Sequence, residues 1–205
     1  MAEIDRLKGK AVPVIRMHDP ANARTAVSWL REGGLDVFEI TATVPGFEKL
    51  IADLASEPGL FVGAGTILDG KSAVAAIDAG ARFIVSPCIV PEVMETCARV
   101  GIPVLPGTAT PTEALTAHRA GASVVKVFPA KQLGGAAYLA ALRSVFPQIP
   151  LMPTGGIGLE DAPAYFKAGA VAVGMGGQLV TEDDVKAGRR EEIVARAARL
   201  SQLRA

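Results

Sequence analysis

The sequence predicts an α/β fold, a (β/α)8 TIM barrel, on three observations. Eight apolar strand patterns alternate with amphipathic helical patterns, the order that builds a parallel sheet with helices outside it. Their spacing is even, and Gly34, Gly59, Gly80, Gly101, Gly121 and Gly169 each stand just ahead of a strand, where a left-handed helix cap is expected. No Gly-x-Gly-x-x-Gly follows the first strand, which argues against the alternative of an open, doubly wound dinucleotide fold.

The elements follow in order. Residues 2–9 predict a short helix plugging the barrel bottom, and "AVPVIR" (11–16) is the first strand. The helical pattern "ANARTAVSWLREGG" leads to "VFEIT" (37–41), then "FVGAGTI" (61–67), the helical "KSAVAAIDAG", and "FIVSP" (83–87). "PVLPGT" (103–108) precedes the helical "TEALTAHRAG" and the strand "VVKVF" (124–128). "PLMPTGG" (150–156) and "AVAVGM" (170–175) complete the set, and a last helix begins near Asp183. "AGA" recurs at 79–81, 120–122 and 168–170. Neither a linker nor a low-complexity segment interrupts the pattern, so residues 1–205 read as one domain.

Composition narrows the function. The chain has 205 residues, 50% of them hydrophobic, enough for one large core. Lys+Arg and Asp+Glu are both 21, so no charge surplus points to nucleic acid or a membrane surface. No apolar run reaches the ~18 residues of a membrane span, and the charged opening "MAEIDRLKGK" lacks a leader's apolar stretch. Cys88 and Cys97 do not make a disulfide framework, which suits a cytoplasmic protein. With His18 and His118 the only histidines, and no Cys-x-x-Cys, a dedicated transition-metal site is not expected; carboxylate-bound Mg²⁺ stays open.

The chemistry begins with Lys126, in the middle of the apolar "SVVKVFPA". Burying an ammonium there is costly unless it is paired, neutral or used. Side chains alternate along a strand, so Val124, Lys126 and Phe128 share a face, as do Glu39, Thr41 and Thr43, Val62, Ala64 and Thr66, and Val12, Val14 and Arg16. Faces with polar groups do not suit an apolar helix layer, so they are expected inside, at the strand C-terminal ends where barrel enzymes build their sites. A buried Lys126–Glu39 ion pair is the structural alternative for these two residues.

A desolvated lysine near Arg16 favours the free amine, which attacks a ketone to form a Schiff base. The protonated imine is then an electron sink for breaking a neighbouring C–C bond. That step needs a group that takes and returns a proton, which Glu39 supplies if apolar walls raise its pKa. Arg16 offers a fork for a substrate carboxylate, and Thr66 adds a hydrogen bond to it. "PTGGI" (153–157) and "GMGGQ" (174–178) follow the seventh and eighth strands, where barrels commonly hold phosphate on backbone amides. "PTGGI" is expected to open a helix.

In this order and spacing, "EITATVP", "VGAGTI", "IVSP", "LPGTATPTE", "KVFPA" and "PTGGI" closely resemble the class I 2-keto-3-deoxy-6-phosphogluconate (KDPG)/4-hydroxy-2-oxoglutarate aldolases, over about residues 8 to 200. The resemblance implies a Schiff-base lysine at Lys126 and an acid/base glutamate at Glu39. It further implies Thr66 at the pyruvyl carboxylate, Phe128 against the pyruvyl group, and Thr154 near the substrate hydroxyls. Phosphate would rest on Gly155, Gly156, Gly176 and Gly177. A homotrimer that needs no metal or other cofactor is also implied.

Two positions depart from the common pattern. Many members carry a carboxylate-binding arginine four residues after the glutamate, where Thr43 stands here; a second branch carries it at the end of the first strand, as Arg16 does. Many have a phosphate-contacting serine where Gly177 stands. The runner-up activity is that of 2-dehydro-3-deoxy-6-phosphogalactonate aldolase, a branch that tends to have an apolar residue in place of Thr154. A phosphate-binding barrel such as thiamin-phosphate synthase gives no reason for Lys126 and Glu39 to share an inner wall; a non-catalytic binder of a phosphorylated ligand predicts ligand-dependent stabilisation without turnover.

Overall fold

The computed structural model describes residues 3–203. Strands form where the apolar runs lie: β1 (Lys10–Ile15), β2 (Val37–Thr41), β3 (Phe61–Gly65), β4 (Ile84–Val85), β5 (Val104–Leu105), β6 (Gly107–Thr108), β7 (Val125–Val127), β8 (Leu151–Pro153) and β9 (Ala172–Met175). Every pairing is parallel. Six strands form a curled half-barrel in the order β5-β4-β3-β2-β1-β9, and β6-β7-β8 form a three-stranded sheet. "PVLPGT" is therefore two strands rather than one. Pro106 divides them because it has no N–H to give to a ladder, although its carbonyl accepts from Lys126 N at 3.0 Å. On the far side, Thr154 bridges in parallel to Gly174, and Val171 N donates to Leu151 O at 2.9 Å.

Helices return the chain between strands: α1 (Pro20–Glu32), α2 (Phe47–Ala55), α3 (Gly70–Asp78), α4 (Pro91–Val100), α5 (Pro111–Arg119), α6 (Gly135–Val145), α7 (Ala162–Lys167), α8 (Glu182–Lys186) and α9 (Arg190–Ser201). Asp19 caps α1 and Asp69 caps α3 through side-chain oxygens, and Thr110 with Glu113 closes a capping box on α5. The six glycines read as caps all have positive φ, from 75° to 98°, which a side chain rarely tolerates. The C-terminal helix is not continuous from Asp183: α8 stops at Lys186, and Gly188 at φ 66° redirects the chain into α9. None of the described helices is long and apolar enough to cross a membrane.

Two apolar layers result. Ile15, Phe38, Ile40, Val62, Ala64, Ile84, Val125 and Val173 belong to the large cluster between strands and helices. A second cluster fills the concave side with Leu7, Val12, Val37, Phe61, Phe83, Val85, Leu105, Val124, Met152 and Ala172. Leu7, on a 3-10 turn spanning Glu3–Leu7, is fully buried in it, so the expected N-terminal plug exists as a 3-10 turn; residue 2 lies outside the described residues. This inner layer occupies the N-terminal ends of the strands. Toward the C-terminal ends the same face becomes polar.

The third strand corrects the alternation argument. Val62 and Ala64 face the helices, and Phe61, Gly63 and Gly65 face inward. Gly63 is small because the Phe83 ring lies over it: an added Cβ would meet that ring at 2.4 Å.

Candidate active site

The polar end of the inner face opens into a cavity of about 460 Å³. Arg16, Thr66, Lys126, Phe128, Thr154, Gly155, Gly156, Gly176 and Gly177 line it together with Val14, Pro87 and Gln178. Glu39 and Thr43 are the two expected residues outside that lining; Glu39 lies deeper, fully buried.

Lys126 is delivered by β7, whose flanking Val125 and Val127 pack on the helix side. Its backbone is held from β6 and the residue before it: Thr108 Oγ1 donates to Lys126 O at 3.1 Å, and Lys126 N donates to Pro106 O at 3.0 Å. The side chain is 5% exposed, with Nζ 5.2 Å from the centroid of the Phe128 ring. The residue opposite it in the ladder on β8 is Met152. Neither oxygen of Glu39 has a hydrogen-bond partner among the described residues, so Lys126 and Glu39 do not form the buried ion pair. Both are held inside, each available to something else. An unpaired buried carboxyl normally costs stability, which makes Glu39 a poor packing residue and a good candidate reagent.

Arg16 follows β1 directly, and its exposed guanidinium spans two neighbouring strands. Arg16 Nη1 donates to Thr43 Oγ1 at 3.3 Å, and Nη2 donates to Thr66 Oγ1 at 2.9 Å. The Thr41 hydroxyl donates to Ile15 O at 2.9 Å, so at 2.8 Å it accepts from Thr43. Arg16, Thr43, Thr41 and the β1 carbonyl thus form one directional chain. Asp19, the rim carboxylate that could have neutralised Arg16, instead accepts from Ala21 N at 2.8 Å. Hydroxyls orient the guanidinium without cancelling its charge, which leaves it fit to bind a carboxylate.

Thr66 reaches this position by a different route from the one strand alternation suggests. The strand ends at Gly65, and Thr66 takes φ 58°. A β-branched residue in the left-handed region is costly and is found chiefly where a site demands it.

Thr154 is 5% exposed, and its Oγ1 has no hydrogen-bond partner among the described residues. Its backbone is pinned on both sides: Thr154 N donates to Val127 O at 2.9 Å and Ala130 N donates to Thr154 O at 2.8 Å. Gly155 (φ 103°) and Gly156 (φ 72°) turn the chain over Phe128 and Lys131. "PTGGI" does not open a helix directly, since α7 begins only at Ala162. Gly176 and Gly177 make a second turn, in which Leu179 N donates to Gly176 O at 2.8 Å. The two glycine turns border the same cavity as Lys126.

The sequence reading singled out neither Gly65 nor Gly174. Added Cβ atoms would meet Glu39 Oε1 at 2.0 Å and Thr154 Oγ1 at 2.3 Å respectively. Both glycines lie on inward-facing strand positions; alternation along the third strand placed Val62, Ala64 and Thr66 inward instead, so the sequence carried no signal for Gly65. Among the described residues, no group of three or more His, Cys, Asp or Glu side chains could hold a metal.

Residues 4–196 match the family model for KDPG and KHG aldolase. A 2-dehydro-3-deoxy-phosphogluconate aldolase of Treponema pallidum is 33% identical over 195 residues, 95% of this chain and 93% of that one. A 2-dehydro-3-deoxy-6-phosphogalactonate aldolase of Escherichia coli is also 33% identical, over 82% of this chain and 83% of its own. The crystal structure of KDPG aldolase from Legionella pneumophila, with pyruvate captured at low pH as a covalent carbinolamine intermediate, superposes with a TM-score of 0.89 at 29% identity, covering 98% of each chain.

Proposed function

Because the chain belongs to the KDPG and KHG aldolase family, we propose that it is a Schiff-base aldolase that cleaves 2-dehydro-3-deoxy-6-phosphogluconate to pyruvate and glyceraldehyde 3-phosphate. One observation carries the reading from the residues upward. A lysine and a glutamate are buried on the inner face of one cavity end, and the glutamate has no partner.

In this reading Lys126 Nζ attacks the C2 carbonyl, and the carbinolamine loses water to give the imine. Glu39 takes the C4 hydroxyl proton, the C3–C4 bond breaks, and its electrons pass through the imine to an enamine. The aldehyde leaves, Glu39 returns the proton to C3, and hydrolysis frees pyruvate and the lysine. Arg16 binds the substrate carboxylate with Thr43 and Thr66 orienting it. Phe128 packs against the pyruvyl group, Thr154 donates to a substrate hydroxyl, and the turns at Gly155, Gly156, Gly176 and Gly177 receive the phosphate. Cleavage of 4-hydroxy-2-oxoglutarate to pyruvate and glyoxylate uses the same steps without the phosphate.

The fold reading goes with it. The half-barrel and the three-stranded sheet form one closed eight-stranded barrel and one domain, with β5 and β6 as two halves of a strand around Pro106. The Pro106–Lys126 hydrogen bond and the Thr154–Gly174 bridge support closure. The protein is taken to be a cytoplasmic homotrimer that works without a metal or other cofactor.

Borohydride reduction in the presence of pyruvate tests the mechanism. A mass increase mapped to Lys126 is expected; an adduct on another lysine, or none with active protein, overturns it. The C4-epimeric galactonate substrate is the second reading, favoured by the 33% identity to a 2-dehydro-3-deoxy-6-phosphogalactonate aldolase. The unpartnered Thr154 hydroxyl favours the gluconate, and the ratio of kcat/KM for the two epimers decides between them.

A further inference from the structure

The Glu39 carboxyl occupies space that only a residue without a side chain leaves open. Thr41 pairs with Gly65 and Glu39 with Gly63 across β2 and β3, so Glu39 and Gly65 are diagonal neighbours on one face. A Cβ on Gly65 would lie 2.0 Å from Glu39 Oε1 and 2.6 Å from its Cδ and Cγ. Gly65 is not among the positive-φ glycines, so its backbone accepts any residue, unlike that of Gly155. Glu39 is fully buried. What requires glycine at position 65 is the carboxyl lying across it.

We infer that Gly65 is a positioning residue for proton transfer: the notch left by its missing side chain seats the Glu39 carboxyl beneath the cavity that Lys126 lines, within reach of a substrate bound at Lys126. A methyl group at position 65 displaces the carboxyl from that seat while leaving Lys126, held from the opposite sheet by Thr108 and Pro106, where it is. This inference rests on the aldolase reading for its chemistry and on the contact alone for its geometry.

The test is a double-mutant cycle with two readouts. One is the exchange of pyruvate methyl protons into D₂O, which reports proton transfer on the Lys126 imine without C–C cleavage; the other is the thermal unfolding midpoint. Gly65→Ala is expected to retain borohydride trapping of pyruvate on Lys126 while exchange falls at least about tenfold, part of the general acid–base contribution. Its midpoint should drop relative to the parent. In a Glu39→Ala background the same change should leave both readouts nearly unaltered, because the colliding group is gone. A purely structural role for Gly65 would lower the midpoint equally in both backgrounds, and that result overturns the inference. Exchange within twofold of the parent in Gly65→Ala overturns it as well. If Gly65→Ala alone does not fold, recovery of folded protein on adding Glu39→Ala supports the contact, and failure to recover refutes it. Absence of trapping and exchange in the parent protein would instead count against the aldolase reading, with the unfolding cycle still deciding the geometry.

Discussion

Arg16 Nη2 donates to Thr66 Oγ1 at 2.9 Å, and Thr66 is placed to accept because its backbone turns left-handed at φ 58°. A costly backbone conformation therefore fixes the direction of a guanidinium that pairs with no carboxylate among the described residues. In the proposed reaction that guanidinium meets the substrate carboxylate.

Arg16→Ala should lower kcat/KM for KDPG by at least about tenfold, since a hydrogen bond to a charged group is worth roughly 1.5–3 kcal/mol. Thr43 already lies 3.3 Å from Arg16 Nη1, so Thr43→Arg in the Arg16→Ala background should restore part of the loss. Steady-state kinetics of the three proteins check this. A single variant within twofold of the parent means that the carboxylate is held elsewhere.

Glu39→Gln keeps the shape of the buried side chain and removes its proton chemistry. Pyruvate should still be trapped on Lys126, more slowly, while cleavage falls by roughly 10²–10⁴-fold. EDTA should leave the parent activity unchanged. Undiminished turnover in the variant would remove Glu39 from the mechanism.

Glu182 ties the loop after Arg16 to α8. His18 N donates to its Oε2 at 2.8 Å, Asn22 Nδ2 donates to Oε1 at 3.1 Å, and Lys186 Nζ lies 3.2 Å away. The His18 amide above all, then Asn22 and Lys186, pulls its carboxyl from 4.5 down to about 2. A carboxyl depressed on folding stabilises the fold fully above its unfolded pKa and loses that contribution as pH falls through the folded one. The stability gap between parent and Glu182→Gln should therefore be constant above pH 4.5 and close between about pH 4.5 and 2. Urea unfolding across that range measures the gap; other carboxyls affect both proteins alike and cancel. A gap that does not narrow would assign the latch to shape rather than charge.

Burial pushes the Cys97 thiol up to about 11, and Cys88 is exposed. At neutral pH iodoacetamide should label Cys88 in the folded protein and reach Cys97 only on unfolding, because the thiolate is the nucleophile. Peptide mapping with and without urea checks the order; rapid labelling of Cys97 in the folded state would contradict its burial on α4.

The sequence by itself determined the strand and helix order, the left-handed glycines and the inward placement of Lys126 and Glu39. Each depends on a period of two, a period of 3.6 or one residue's backbone freedom, all local quantities. Only the tertiary structure decided that Val62 and Ala64 face the helices, because an apolar strand does not say which of its faces turns inward; Thr66, which alternation puts on their face, reaches the cavity only through its left-handed backbone. It likewise decided that Pro106 divides a strand, that Gly188 divides the last helix, and that Gly65 is small for the sake of Glu39. Those facts depend on how neighbouring strands are registered and which side chains then compete for the same volume. A pattern along one strand carries no record of what lies across from it, and packing at crystal-like density leaves room for only one occupant.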